Sequence, residues 1–161
     1  MLSRKMFSTT KTFMKKLVLL QHFLLAALVT IISACLLQTQ MVLLALSNIG
    51  IDITWSQRIY MSWQDLLGLL PSYGVIITIG LAIAFLIAKT IRKRTRANSP
   101  FLYVVAGGVT MAAILVAMQP ILGVTLLAGA RSFLGIILQI GAGLLGGLCF
   151  MRLRRLQTKA A

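Results

Sequence analysis

Acidic side chains are almost missing from this 161-residue chain, which has two aspartates, Asp52 and Asp65, and no glutamate. No carboxylate pair is therefore available inside an apolar segment for general acid and base work. Proton-coupled transporters usually carry an ionisable residue within a span, and the apolar segments here have only His22 and Arg131 at their edges. His22 is the single histidine, so a bis-histidine haem site would need another chain. Cys35 and Cys149 form no C-x-x-C pair. They fall at opposite depths of the expected spans, whereas a disulfide needs Cα atoms within about 7 Å. Neither a thiol–quinone oxidoreductase nor a hydrolase built on Asp52, Asp65 and His22 is expected. Charged residues of both signs make up only 11% of the chain, against roughly 25% in ordinary soluble domains. That scarcity excludes a soluble globular domain and a disordered chain alike.

What fills the chain is apolar. Hydrophobic residues reach 59% and the mean hydropathy is +0.96. Stretches without charge run over 17–51, 66–88, 97–130 and 132–151. Each accommodates one helix of about 20 residues, the length that crosses a hydrocarbon core of about 30 Å. The expected fold is an all-α integral membrane protein, one compact bundle of four transmembrane helices at 20–42, 71–90, 101–121 and 131–151. Pro71 and Pro100 suit the starts of the second and third spans, where a missing N–H costs nothing. Pro120 suits the end of the third.

Lysines and arginines number sixteen, for a net charge of +14. Fourteen fall in the N-terminal segment 1–19, in the loop 91–100 together with Lys89 at the end of the second span, and in the tail 152–161, leaving Arg58 and Arg131 in the loop 43–70 and at the start of the fourth span. The positive-inside rule then puts both termini and the middle loop in the cytoplasm, with a bacterial plasma (inner) membrane as the expected location. Lys15, Lys16, Arg92, Lys93, Arg94, Arg96, Arg152, Arg154 and Arg155 adjoin span ends and are expected to contact anionic lipids. No aromatic residues interleave with them, so a nucleic-acid partner is not expected.

Three readings of the N-terminus compete: a retained first span, a lipoprotein signal ending at the lipobox-like 32–35 (Ile-Ser-Ala-Cys), and a transit peptide over the acid-free residues 1–16. The chain stays apolar after Cys35, which favours the retained span. Between the first two spans, Trp55, Ile59, Tyr60, Trp63, Leu66, Leu67 and Leu70 recur at steps of three and four. Thr54 and Gln57 match a capping box. A short amphipathic helix over 54–68 is expected on the outer leaflet, anchored by Trp55, Tyr60 and Trp63.

Small residues recur at four-residue spacing: Gly80, Ala84 and Ala88; Gly108 and Ala112; Gly143 and Gly147. Such rows let helix backbones approach closely in lipid. The run 141–146 formally fits G-x-G-x-x-G, but it lies within a span and no acid follows it, as a dinucleotide site requires. No cofactor and no metal is expected. The leading expectation is a non-catalytic multi-pass protein, a structural or accessory subunit with a membrane-protein partner or a second copy. A small oligomeric transporter or channel subunit is the alternative. A lipid-modifying enzyme using Asp52 or Asp65 is the third.

Overall fold

The computed structural model describes residues 2–94, 100–122 and 132–159. Among the described residues five helices follow one another: α1 (Leu2–Asn48), α2 (Trp55–Leu69), α3 (Tyr73–Arg94), α4 (Leu102–Leu122) and α5 (Phe133–Lys159). Three apolar stretches among them are long enough to cross a membrane, namely Leu17–Asn48, Tyr73–Arg94 and Phe133–Gln157. The described apolar stretch of α4, Leu102–Met118, is shorter.

Helix α1 is a single helix of 47 residues, about 70 Å long at 1.5 Å per residue. It ends in a Schellman motif. Gly50 takes a left-handed φ of +84°, its N–H donates to Ser47 O, and the Ile51 N–H reaches back to Leu46 O. This satisfies carbonyls that the last turn would otherwise leave unpaired. Helix α2 starts at the expected cap: Gln57 Oε1 accepts both the Thr54 N–H and the Thr54 hydroxyl at 2.9 Å. Pro71 lies in the short link before α3 rather than in its first turn. Lacking an N–H, it cannot continue the helical ladder, and α2 ends two residues earlier. Pro100 lies two residues before α4, and its carbonyl accepts the Tyr103 N–H. Helix α4 runs two residues past Pro120, which falls in the last turn.

Four helices close a ring in which α3 packs on α4, α4 on α5, α5 on α1 and α1 on α3. Neighbours in the ring run antiparallel. Gly107 faces Gly143 while the Tyr103 backbone faces Gly147, and Thr30 faces Gly146 while the Ala34 carbonyl meets Gln139. Two rows of α1 are buried at four-residue steps: Ala26, Thr30, Ala34 and Gln38 in one, Ala27, Ile31, Cys35, Thr39 and Leu43 in the other. The first row meets α5 through Thr30 and Ala34. From the second, Ile31 meets α3 and Thr39 meets α2.

The tightest seam joins α4 and α5. A Cβ added at Gly143 would strike the Gly107 carbonyl, and one at Gly147 would strike the Tyr103 carbonyl. One added at Gly107 would meet the Gly143 carbonyl, and one at Gly146 the Thr30 hydroxyl. Gly108 is covered by the side chain of Leu144, and Gly80 by Thr110 and Ile114 of α4. Gly141 has open space around it.

That contrast yields a test. Gly143→Ala should lower the melting temperature in detergent, because backbone atoms cannot give way and overpacking costs about 1–3 kcal/mol. Gly141→Ala, two residues away, should leave stability unchanged or raise it, since alanine favours helix by up to about 1 kcal/mol. Equal responses at the two positions would contradict the seam.

Candidate functional site

Three groups of side chains stand out, two around α2 and one at the opposite end of the ring. The first lies at the level where α2 joins α1. The Thr39 hydroxyl sits 2.9 Å from Asp65 Oδ2 and 3.0 Å from the Cys35 carbonyl, sharing one proton between two acceptors. Asp65 thereby tethers α2 to a fully buried threonine of α1, because α2 folds back along α1 and turns this side inward. Asp52 is exposed. Nearby, Gln139 is 1% exposed and links three helices. Its Nε2 donates to the Ala34 carbonyl at 3.1 Å, and its Oε1 accepts the Tyr73 hydroxyl at 3.3 Å. In an apolar interior such groups are tolerated only when paired. Gln38 is buried as well.

The second group is the outer face of α2, a helix with no buried residue. Trp55 is 81% exposed, with Ile59, Tyr60, Trp63 and Leu67 also exposed. The expected anchors Trp55, Tyr60 and Trp63 thus share an uncovered apolar surface. Leu66 and Leu69 turn inward against the core. Between α1 and α2 runs a groove of about 420 Å³, lined by Leu36, Gln40, Trp55, Ile59, Trp63 and Leu66 among others. Arg58 lies at its edge with its guanidinium 5.7 Å from the Trp55 ring centre.

The third group is an aromatic cluster at the other end of the ring. Phe85 stacks on Phe150 with centroids 4.5 Å apart, and Tyr103 meets both edge-on. Phe23 adds a fourth ring against Phe85. Arg154 donates to the Tyr103 hydroxyl at 2.7 Å, and the Arg92 guanidinium lies 5.8 Å from the same ring. Of the basic residues expected at lipid, Arg92 and Arg154 are therefore half-buried and directed at Tyr103. Lys93, Arg94, Arg152 and Arg155 are exposed. Arg96 and the side chains of Lys15 and Lys16 lie outside the described residues.

Among the small residues singled out from sequence, Gly80, Gly108, Gly143 and Gly147 sit in helix contacts. Ala88 is buried, while Ala84 and Ala112 are half-buried. Sequence reasoning passed over Gly107, Gly146 and the α1 row Ala26–Thr30–Ala34, although the last shows the same four-residue spacing. It also passed over Tyr73, Gln139 and the Thr39–Asp65 pair, which become partners only when α1, α2, α3 and α5 assemble.

Both cysteines are free. His22 Nδ1 is buried and has no hydrogen-bond partner among the described residues. No group of three His, Cys, Asp or Glu among the described residues could hold a metal ion. No family model matches the chain, and no curated protein or solved structure is significantly similar to it.

The Asp65 tether makes a specific prediction. Asp65→Ala should leave the four-helix ring intact while speeding amide hydrogen exchange across 55–69 by severalfold. Asp65→Asn should stay near the parent rate, because a carboxamide still bonds the Thr39 hydroxyl. Faster exchange in both variants, or in neither, would show that this hydrogen bond does not hold α2 in place.

Proposed function

We propose that the chain is a four-span membrane protein with both termini and the basic 91–100 segment in the cytoplasm, serving as a non-catalytic accessory subunit of a membrane assembly. α4 supplies the fourth crossing, its apolar residues continuing the charge-free stretch 97–130. With that topology the clustered arginines of α3 and α5 face anionic headgroups, where each is worth about 1 kcal/mol. The second end of the ring, with α2, faces outward, and a bacterial inner membrane is the setting that fits this charge distribution.

The observation that carries the accessory role is the state of α2. A 15-residue helix contributes no buried residue of its own, yet it is capped at its start and tethered through Asp65 to α1. Its exposed face presents two tryptophans and a tyrosine beside the α1–α2 groove. Aromatic side chains of this kind dominate protein contacts as anchors, and on an amphipathic helix they suit the membrane interface as well. The reading assigns α2 as an interfacial helix whose aromatic face meets a membrane-protein partner.

A photoreactive residue at Ile59 should capture a partner in intact membranes, while the same residue at Val109 of α4 should label lipid only. Trp55→Ser with Trp63→Ser should remove that partner without lowering the melting temperature, because neither ring packs inside the bundle. A monomer in mild detergent, unlabelled by protein at either position, would overturn the accessory reading. A closed homo-oligomer would favour a transporter or channel subunit. Reporter fusions at residues 50 and 95 should read opposite sides of the membrane, and the same side at both would overturn the topology.

A further inference from the structure

The aromatic cluster forms the inner wall of a second cavity, of about 360 Å³, between α1, α3, α4 and α5. Its depth is apolar: Phe85, Tyr103 and Phe150 are all at most 5% exposed. Leu20 and Leu86, 52% and 63% exposed, stand at its outer lips. The groove therefore opens sideways from the bundle, not into its centre. Lys89 and Arg154 also line it, and Arg92 is drawn to the same Tyr103 ring. The chain's only two acids are Asp52 and Asp65. Asp65 pairs with Thr39, sixteen residues along α1 from Phe23, or about 24 Å of helix at 1.5 Å per residue. Neither aspartate side chain therefore stands at the level of this groove.

We propose that this groove is a binding site for one anionic glycerophospholipid, with an acyl chain along Leu19, Leu20, Ala82 and Leu86 and the phosphate held between Lys89 and Arg154. Each part of the site answers one part of the lipid. A cavity of a few hundred Å³ falls in the range of small-ligand sites, about 300–1,000 Å³, and its apolar walls match a hydrocarbon tail. A free phosphate would leave those walls uncovered, while a zwitterionic lipid would bring no net negative charge to Lys89 and Arg154. Arginine is suited to the headgroup because its planar guanidinium matches phosphate oxygens, and the Tyr103 hydroxyl holds Arg154 in place. The site also fits the order of the chain, since α3 and α5 both turn basic where they leave the apolar region. The proposal rests on the membrane-spanning reading above but not on the role given to α2, which lies at the other end of the ring.

The test is native mass spectrometry of the purified full chain in mild detergent, titrated with phosphatidylglycerol, with phosphatidylcholine of the same acyl chains, or with inorganic phosphate. Resistance of each variant to alkaline extraction from membranes reports the membrane reading separately. The parent should bind one phosphatidylglycerol in preference to phosphatidylcholine. Lys89→Gln with Arg154→Gln should weaken that binding by about tenfold or more, as expected for two lipid-facing cations. Lys93→Gln with Arg155→Gln removes the same charge from exposed positions outside the groove and should change it by no more than about twofold, because those charges reach the bound headgroup only through screening solvent. Ala82→Phe keeps every cation but fills the groove, and it should weaken binding of both lipids. This variant decides the matter if the Lys89 and Arg154 changes disturb folding. The site is overturned if both charge pairs weaken binding equally, if Ala82→Phe binds as the parent does, or if inorganic phosphate alone binds and displaces the lipid.

Discussion

Backbone-to-backbone contact between α4 and α5 is the constraint on which the rest of the bundle depends. Lipid tails are as apolar as leucine, so burying leucine against leucine gains little for helices already in a bilayer. Contact gains accrue where two backbones come close enough for many atoms to touch, and dispersion falls off within about 1 Å of added separation. Gly107, Gly143 and Gly147 permit that approach because the space a Cβ would need is already filled by the opposing carbonyls. Once Gly147 is seated on Tyr103 and Gly143 on Gly107, the register of the pair is set. Tyr103 then lies beside Phe150, Phe85 of α3 completes the stack, and Arg154 falls within hydrogen-bond reach of the tyrosine. The proposed lipid groove is a consequence of that register.

Polar groups inside the ring follow the complementary rule. A buried hydroxyl or amide without a partner costs about 1–3 kcal/mol, and the bundle meets this locally wherever the chain allows. Thr30, Thr39, Thr78 and Thr110 each bond a carbonyl four residues back. Gln139 is different, satisfied by α1 and α3 together. Such a bond adds direction to contacts that small residues alone leave unspecific. Asp65 does the same for α2, which has little apolar burial to hold it.

Much of the helical architecture was legible in the sequence because its signals are local. Charge-free runs bounded by charged residues marked the long helices, and the Thr54–Gln57 spacing marked the start of α2 to within a residue. Gly143 and Gly147 announced themselves by spacing, since the missing side chain is itself the signal. The pairings between helices were not legible. Nothing in the sequence near Thr39 points to Asp65, and nothing near Tyr73 points to Gln139, 66 residues later. Arg92 and Arg154 read as headgroup contacts because their neighbours are basic. Their direction toward Tyr103 depends on where α4 begins relative to the ends of α3 and α5. The small-residue row of α1 was visible but hidden among leucines, alanine being a weaker mark of close approach than glycine.

The seam between α4 and α5 is most directly tested by cysteines at positions 108 and 144, in a chain with Cys35 and Cys149 replaced by alanine. Leu144 is the side chain that covers Gly108, its nearest atom 2.7 Å from where a Cβ would stand, so Gly108→Cys with Leu144→Cys removes the obstruction as it adds the thiol. Mild oxidation in native membranes should link the two positions within one chain, seen as a faster-migrating monomer that reverts on reduction. A linked dimer in place of that monomer, or no link while other oxidised pairs form normally, would contradict the account, because the glycine face would then belong to an interface between chains or to lipid.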